Sequence, residues 1–233
     1  MNISIIAAAG QGKRMGDRRA KQFLELAGTP IIIHTLKRFD DCVDINEMVV
    51  VLPAADLEEF RALSGQFRFR KPLGFVPGGE TRADSVKHGL ESLRAADDDI
   101  IAVHDGVRPF VTPQEISNTI HAAEKYGAAI LVAPAIDTLK EIAGNRIICT
   151  LDRTQTRRAL TPQCFRYRLL RRAYENANER AKDATDCSFL VESLGEPVAI
   201  VEGHARNIKI TRPEDIIYGE ILLRQESESC PES

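Results

Sequence analysis

Apolar and polar positions along this chain fall into two alternating rhythms. Short runs of aliphatic residues at 2–8, 46–52, 72–76, 99–104, 128–134 and 197–201 read as strands. Between them, apolar residues recur at helical spacing over about 30–40, 54–64, 81–95, 113–126, 165–181 and 213–224. Thr81-Arg82-Ala83-Asp84 has the form of a capping box opening the third helix, and Pro113 and Pro213 suit first-turn positions. Strands that alternate with helices imply an α/β fold with a largely parallel sheet covered on both faces. Ligands of such sheets gather at the carboxyl ends of the strands. The motifs that stand out here lie just after predicted strands.

One segment breaks the rhythm. Between Asp137 and Arg153, Gly144-Asn145 separates two β-prone runs, Thr138–Ile142 and Arg146–Leu151, which predicts a hairpin projecting from the sheet. A projecting hairpin docks most simply on a second copy of the chain, so a homodimer is expected. The 233 residues suit a single large domain over 1–233, with this arm at about 137–153 and a polar, frayed tail at 225–233.

The first predicted strand breaks into Gly10-Gln11-Gly12-Lys13-Arg14-Met15-Gly16, with Lys21-Gln22 soon after. A Walker A loop is excluded, because Ala7 and Arg14 stand where its first Gly and its Ser or Thr belong. A dinucleotide fingerprint is excluded as well. Met15 replaces the third glycine, and the next strand ends at Val51-Leu52-Pro53 without a carboxylate. Glycines in a strand-to-helix turn are ordinary. Arg14 and Lys21 beside them point to a polyphosphate, whose charge they would neutralise.

Three further groups carry chemistry. Pro77-Gly78-Gly79-Glu80 leads into a helix start containing Ser85, a turn suited to a base and its ribose. His104-Asp105-Gly106-Val107-Arg108-Pro109 follows an apolar strand. A carboxylate at such a tip suits Mg²⁺, and Arg108 suits a second anion. His104 reads as structural. The scattered groups Asp137-Thr138, Asp152-Arg153, Leu160-Thr161-Pro162-Gln163, Thr185-Asp186 and Asn207-Ile208-Lys209 are weak signals singly.

Charge and composition narrow the field. A net charge of −3 carries no nucleic-acid footprint, and no apolar stretch reaches membrane-spanning length. A core strand at the very start leaves no place for a signal peptide. Five cysteines without C-x-x-C spacing fit reduced thiols, so a cytoplasmic location is expected. No Ser-His-Asp order or metal-binding histidine cluster is present. Cations, one metal carboxylate and glycine turns suit phosphoryl or nucleotidyl transfer, where an enzyme chiefly positions and neutralises.

In order, AAGQGKRMG, AKQF, GGETRADSV, HDGVRPF, IDTLKE, LDR, ALTPQ, TDCS and NIKITRPED resemble the motifs of the 2-C-methyl-D-erythritol 4-phosphate cytidylyltransferase family, over about residues 2–222. The resemblance implies a Rossmann-like, three-layer nucleotidyltransferase fold with a mostly parallel mixed sheet and a β-arm that builds a homodimer. It implies transfer of CMP from CTP to methylerythritol phosphate, with Mg²⁺ and release of pyrophosphate, in isoprenoid precursor synthesis. Ala7, Ala8, Ala9 and Gly10 would wrap the CTP. Gly79, Glu80 and Ser85 would form the cytidine pocket, and Asp105 would bind the metal with Gly106 close by. Arg14 and Lys21 would stabilise the transition state. Arg108, Thr138, Thr161 and Thr185 would surround the acceptor, and Arg153 and Lys209 would hold its phosphate in line. Ala20 stands where the family usually has Pro, and Glu80 where Asp is also common. A ribitol 5-phosphate cytidylyltransferase shares the loop, the lysine and the HD-x-x-RP motif and remains the nearest rival. A CTP-sensing module without turnover is the alternative from another class.

Overall fold

A computed structural model of the chain describes residues 1–10, 23–177 and 184–229. Six of the seven strands in the main sheet run parallel. They are β1 (Asn2–Ala7), β4 (Glu47–Leu52), β5 (Leu73–Pro77), β6 (Ile100–Asp105), β7 (Ala128–Pro134) and β11 (Ala199–Glu202). The seventh, β10 (Arg157–Arg166), lies antiparallel between β6 and β7. The strand order is β11-β7-β10-β6-β1-β4-β5. Two small antiparallel pairs stand apart: β2 (Glu25–Leu26) with β3 (Thr29–Pro30), and β8 (Lys140–Ala143) with β9 (Arg146–Thr150).

Side chains of a strand alternate between its faces, so each continuous apolar run serves two cores. Met48, Val50 and Leu52 of β4, with Ile100 and Ala102 of β6, meet α1 (Ile31–Asp41), α2 (Leu57–Ser64) and α4 (Pro113–Tyr126) through Leu36, Phe39, Phe60 and Ile120. Val49, Val51, Ile101 and Val103 face the other way. They pack against α3 (Arg82–Glu91), α5 (Tyr167–Asn176) and α6 (Cys187–Glu192) through Val86, Leu90, Leu170 and Leu190. The result is the three-layer arrangement expected of strands that alternate with helices.

Local signals act as their chemistry requires. Thr81 and Asp84 form the capping box of α3, and Thr112 with Glu115 forms another ahead of Pro113 in α4. Gly144 turns the β8–β9 hairpin at φ +56°. The C-terminal helix α7 (Pro213–Ser229) runs into the segment expected to fray. Arg38 donates to Glu226 there, and Arg206 donates to Gln225, which ties the added turn to the body. Among the described residues no helix is long and apolar enough to cross a membrane.

Candidate active site

The parallel strands β1, β4, β5 and β6 end together, and their exits are closed by backbone bonds between neighbours. Ala8 N donates to Val51 O (2.9 Å), Gly78 N to Leu52 O (2.7 Å) and Gly106 N to Ala7 O (2.9 Å). Three exit turns are thereby pressed against one another. A Cβ on Gly78 would lie 2.4 Å from the Ala9 Cβ, one on Gly79 would lie 2.4 Å from the Asp84 Cβ, and one on Gly106 would lie 3.0 Å from the Ala8 Cβ. Glycine is required at these turns by close approach rather than by backbone angle. Ala8 is buried as part of this packing, whereas Gly10 is exposed and precedes the residues that include Arg14 and Lys21. Both of those cations lie outside the described residues.

Ser85 is buried and its hydroxyl is already committed. It donates to Thr81 O (2.8 Å) and accepts from Gly79 N (3.1 Å), so it shapes the Gly78-Gly79 turn. Glu80 stands exposed beside it.

His104 and Asp105 are adjacent on β6 and therefore face opposite layers. His104 is fully buried beside the Phe39 ring (centroids 4.9 Å apart). Its Nε2 sits 3.1 Å from Arg108 O, a group that can only accept, so Nε2 carries the proton. Nδ1 then accepts from the Thr161 hydroxyl (2.9 Å), and the Thr161 oxygen accepts from Asp105 N (3.3 Å). Burial holds the His104 pKa down at about 3, although the Arg108 carbonyl and Asp105 pull it upward. The structural reading of His104 is what this geometry supports. Thr161 is only 4 % exposed, with its proton committed to His104.

Asp105 faces the α3 layer, and three cations converge on it. Arg82 Nε donates to Oδ1 (3.0 Å), while Lys209 Nζ (2.8 Å) and Arg108 Nε (3.3 Å) donate to Oδ2. Burial pushes the carboxyl pKa up, but Arg82, Lys209 and Arg108 outweigh it and hold the group well below the usual carboxylate range. Three cations around one carboxylate leave an excess of two positive charges at the mouth of the sheet. That is a site for a polyanion.

Asn207 braces this cluster. Its carbonyl accepts from Arg108 Nη1 (2.9 Å) and its Nδ2 donates to Thr161 O (2.8 Å). Its Oδ1 is buried with no donor among the described residues. Asp186 caps α6 by accepting from Phe189 N (3.0 Å), and it also accepts from Gln163 Nε2 (2.9 Å). Thr185 is exposed just before that cap. Thr138 and Arg153 are exposed at the two ends of the β8–β9 arm, and none of the bonds to Asp105 comes from them.

Sequence reasoning singled out Asp105, Arg108 and Lys209, and the fold brings them together. It gave no role to Arg82, Gln163 or Asn207. Arg82 and Asp105 are 23 positions apart, and no periodicity links them; the fold does, by packing α3 on β1, β4 and β5 so that its first residue reaches the tip of β6.

Among the described residues no three His, Cys, Asp or Glu side chains cluster to hold a metal. A single ionised carboxylate still fits Mg²⁺, which commonly takes one or two carboxylates and completes its shell with substrate phosphates and water. Asp105 is an ionised carboxylate of that kind, its oxygens held in this structure by Arg82, Arg108 and Lys209.

A mixed sheet with one antiparallel strand, and cations gathered at the carboxyl ends of its strands, fits the class of Rossmann-like nucleotidyltransferases. Comparison with known proteins agrees and is more specific. The family model described as IspD, 2-C-methyl-D-erythritol 4-phosphate cytidylyltransferase, matches residues 2–225. The enzyme of that name from Geobacillus thermodenitrificans is 42 % identical over 220 residues, covering 94 % of this chain and 96 % of the relative. The one from Syntrophus aciditrophicus is 41 % identical over 226 residues, covering 96 % of each. The crystal structure of 4-diphosphocytidyl-2C-methyl-D-erythritol synthase from Anaerococcus prevotii superposes with a TM-score of 0.84 at 30 % identity, covering 96 % of both chains. The Thermus thermophilus cytidylyltransferase superposes with a TM-score of 0.75 at 34 % identity, covering 95 % of this chain and 98 % of the other. This chain belongs to the 2-C-methyl-D-erythritol 4-phosphate cytidylyltransferase family.

Proposed function

We propose that this chain joins CTP to 2-C-methyl-D-erythritol 4-phosphate, forming the CDP-methylerythritol intermediate of isoprenoid precursor synthesis and releasing pyrophosphate. The observation that carries the reading is the convergence of Arg82, Arg108 and Lys209 on Asp105 at the strand ends. The nucleophile is a phosphate monoester oxygen, already an anion, so no general base is required. The difficulty is bringing two polyanions into contact. Fixed cations ease it, and they act most strongly on the charge-dense transition state.

Within this reading Arg14 and Lys21 stabilise charge growing at the α-phosphate. Ala7 to Gly10, Gly79, Glu80, Ser85 and Gly106 frame the nucleotide, Ser85 and the glycines by setting backbone shape. Arg108 and Lys209 serve the acceptor phosphate, Thr185 borders the acceptor, and Thr161 acts through its hold on Asp105 and His104. Asp105 would hold Mg²⁺, which would supply positive charge to the triphosphate.

The arm supports a homodimer. Ile142, Ile147 and Ile148 are each more than half exposed, an apolar surface suited to cover by a second copy. Thr138 and Arg153 at its ends would then reach the partner's acceptor site. Cysteines kept as free thiols suit the cytoplasm. The test is pyrophosphate release from CTP with methylerythritol phosphate and, separately, ribitol 5-phosphate. Turnover with the first only is expected. Turnover with the second only, or CTP binding with no release from either, would refute the proposal.

A further inference from the structure

The three cations on Asp105 are not equivalent. Arg82 is the first residue of α3, and the Thr81–Asp84 capping box fixes where that helix begins. Its guanidinium is clamped at two points. Nε donates to Asp105 Oδ1 (3.0 Å), and Nη1 donates to Cys187 Sγ (3.5 Å). Cys187 is fully buried and is itself held. Its N–H donates to Gln163 Oε1 (2.9 Å), and its sulfur lies 3.5 Å from the Tyr174 hydroxyl. Arg82 therefore bridges the tip of β6 in the sheet and the start of α6 in the helical layer packed on it.

Lys209 and Arg108 use the other oxygen, Oδ2. Lys209 comes from the irregular segment ahead of α7, and its side chain is 35 % exposed, against 25 % for Arg82. Both Lys209 and Arg108 are assigned above to the acceptor phosphate, and this inference rests on that reading. To engage phosphate oxygens they must loosen from Oδ2. A buried carboxylate that loses its partners on both oxygens is costly, because an unpaired buried charge has neither water nor counter-ion.

We infer that Arg82 is a positioning residue: it keeps Oδ1 of Asp105 engaged while Lys209 and Arg108 exchange Oδ2 for the acceptor phosphate. Without Arg82, Oδ1 has no donor among the described residues, and the carboxylate is free to present both oxygens to Lys209 and Arg108. A carboxylate that grips a guanidinium with two oxygens holds it more strongly than one oxygen does. The acceptor phosphate then competes for cations that are already taken. The defect should fall on the acceptor and spare CTP.

The test is steady-state kinetics of the full chain with CTP and methylerythritol phosphate, for Arg82→Gln and Arg82→Lys, with thermal melting to count folded protein. Arg82→Gln should raise the KM for the acceptor tenfold or more and leave the KM for CTP within about twofold. Arg82→Lys keeps a charge that can reach Oδ1 and should give a smaller rise. The inference is overturned by an unchanged acceptor KM, by equal rises in both KM values, by equal defects in the Gln and Lys variants, or by a loss explained wholly by the unfolded fraction. Wild-type protein that turns over neither polyol phosphate would refute the proposed function, and this inference with it.

Discussion

Acid should destabilise this protein through His104. The imidazole is neutral in the fold, with a pKa held down at about 3, while in the unfolded chain it titrates near its ordinary value of 6.5. Below that value the unfolded state takes up a proton that the native state refuses. Native stability therefore falls as the pH drops from 6.5 toward 3, and His104 contributes no pH dependence above that window. The slope is about 1.4 kcal/mol for each pH unit, a large loss against a typical total of roughly 5–15 kcal/mol. Protonation at Nδ1 would also remove the acceptor for Thr161, whose oxygen receives the Asp105 N–H, so the damage reaches the site. The assay is urea unfolding of the wild type and of His104→Gln at pH 7.5, 5.5 and 4.5. The variant loses the Thr161 contact and starts less stable, but every other titrating group is shared. The stability gap between the two proteins should therefore shrink by about 1.4 kcal/mol for each pH unit below 6.5. A gap that stays constant from pH 7.5 to 4.5 would refute the neutral, buried assignment.

Gly78→Ala should cost about 1–3 kcal/mol by overpacking, because its Cβ would lie 2.4 Å from that of Ala9. It should also raise the KM for CTP. Gly65→Ala, whose new Cβ would meet nothing nearer than 3.5 Å, is the control, and equal melting temperatures for the two variants would contradict the packing argument. Lys21→Ala should lower kcat on the order of 10²-fold, and near-normal turnover would remove it from the mechanism. Arg153→Ala should impair use of the acceptor while CTP affinity, read by calorimetry, is kept. Mixed dimers of Lys21→Ala and Arg153→Ala chains should recover part of the activity if sites are shared. Chelation of Mg²⁺ should abolish pyrophosphate release without lowering the melting temperature. An unchanged rate in the presence of chelator would exclude the metal from turnover.

Local patterning carried much of the fold. The apolar runs and helical periodicities place six of the main-sheet strands and most of the helices to within a few residues, because alternation and capping are local chemistry. The two-residue strands β2 and β3 went unread, as did two longer elements, these for reasons in their residues. Strand β10 opens on Arg157 and Arg158 and contains Pro162, which argues against a central strand. The chain accommodates it where the register with β7 shifts between Ala159 and Gln163, next to a cis Thr161–Pro162 peptide. Helix α6 spans six residues, too few to show a helical period.

The sequence alone determined which chemistry the chain owns: glycine turns after apolar strands, a carboxylate at one tip, and cations following the motifs. Which of those groups meet was settled only in three dimensions. His104 and Asp105 are neighbours in the chain, yet one is sealed against Phe39 and the other collects Arg82, Arg108 and Lys209, because consecutive strand residues point to opposite faces. Lys209 reaches Asp105 across more than a hundred residues because the sheet orders its strands by buried area and backbone pairing, not by sequence. A carboxylate's partners are set by that geometry, and Arg82 acquires its place at the site from it.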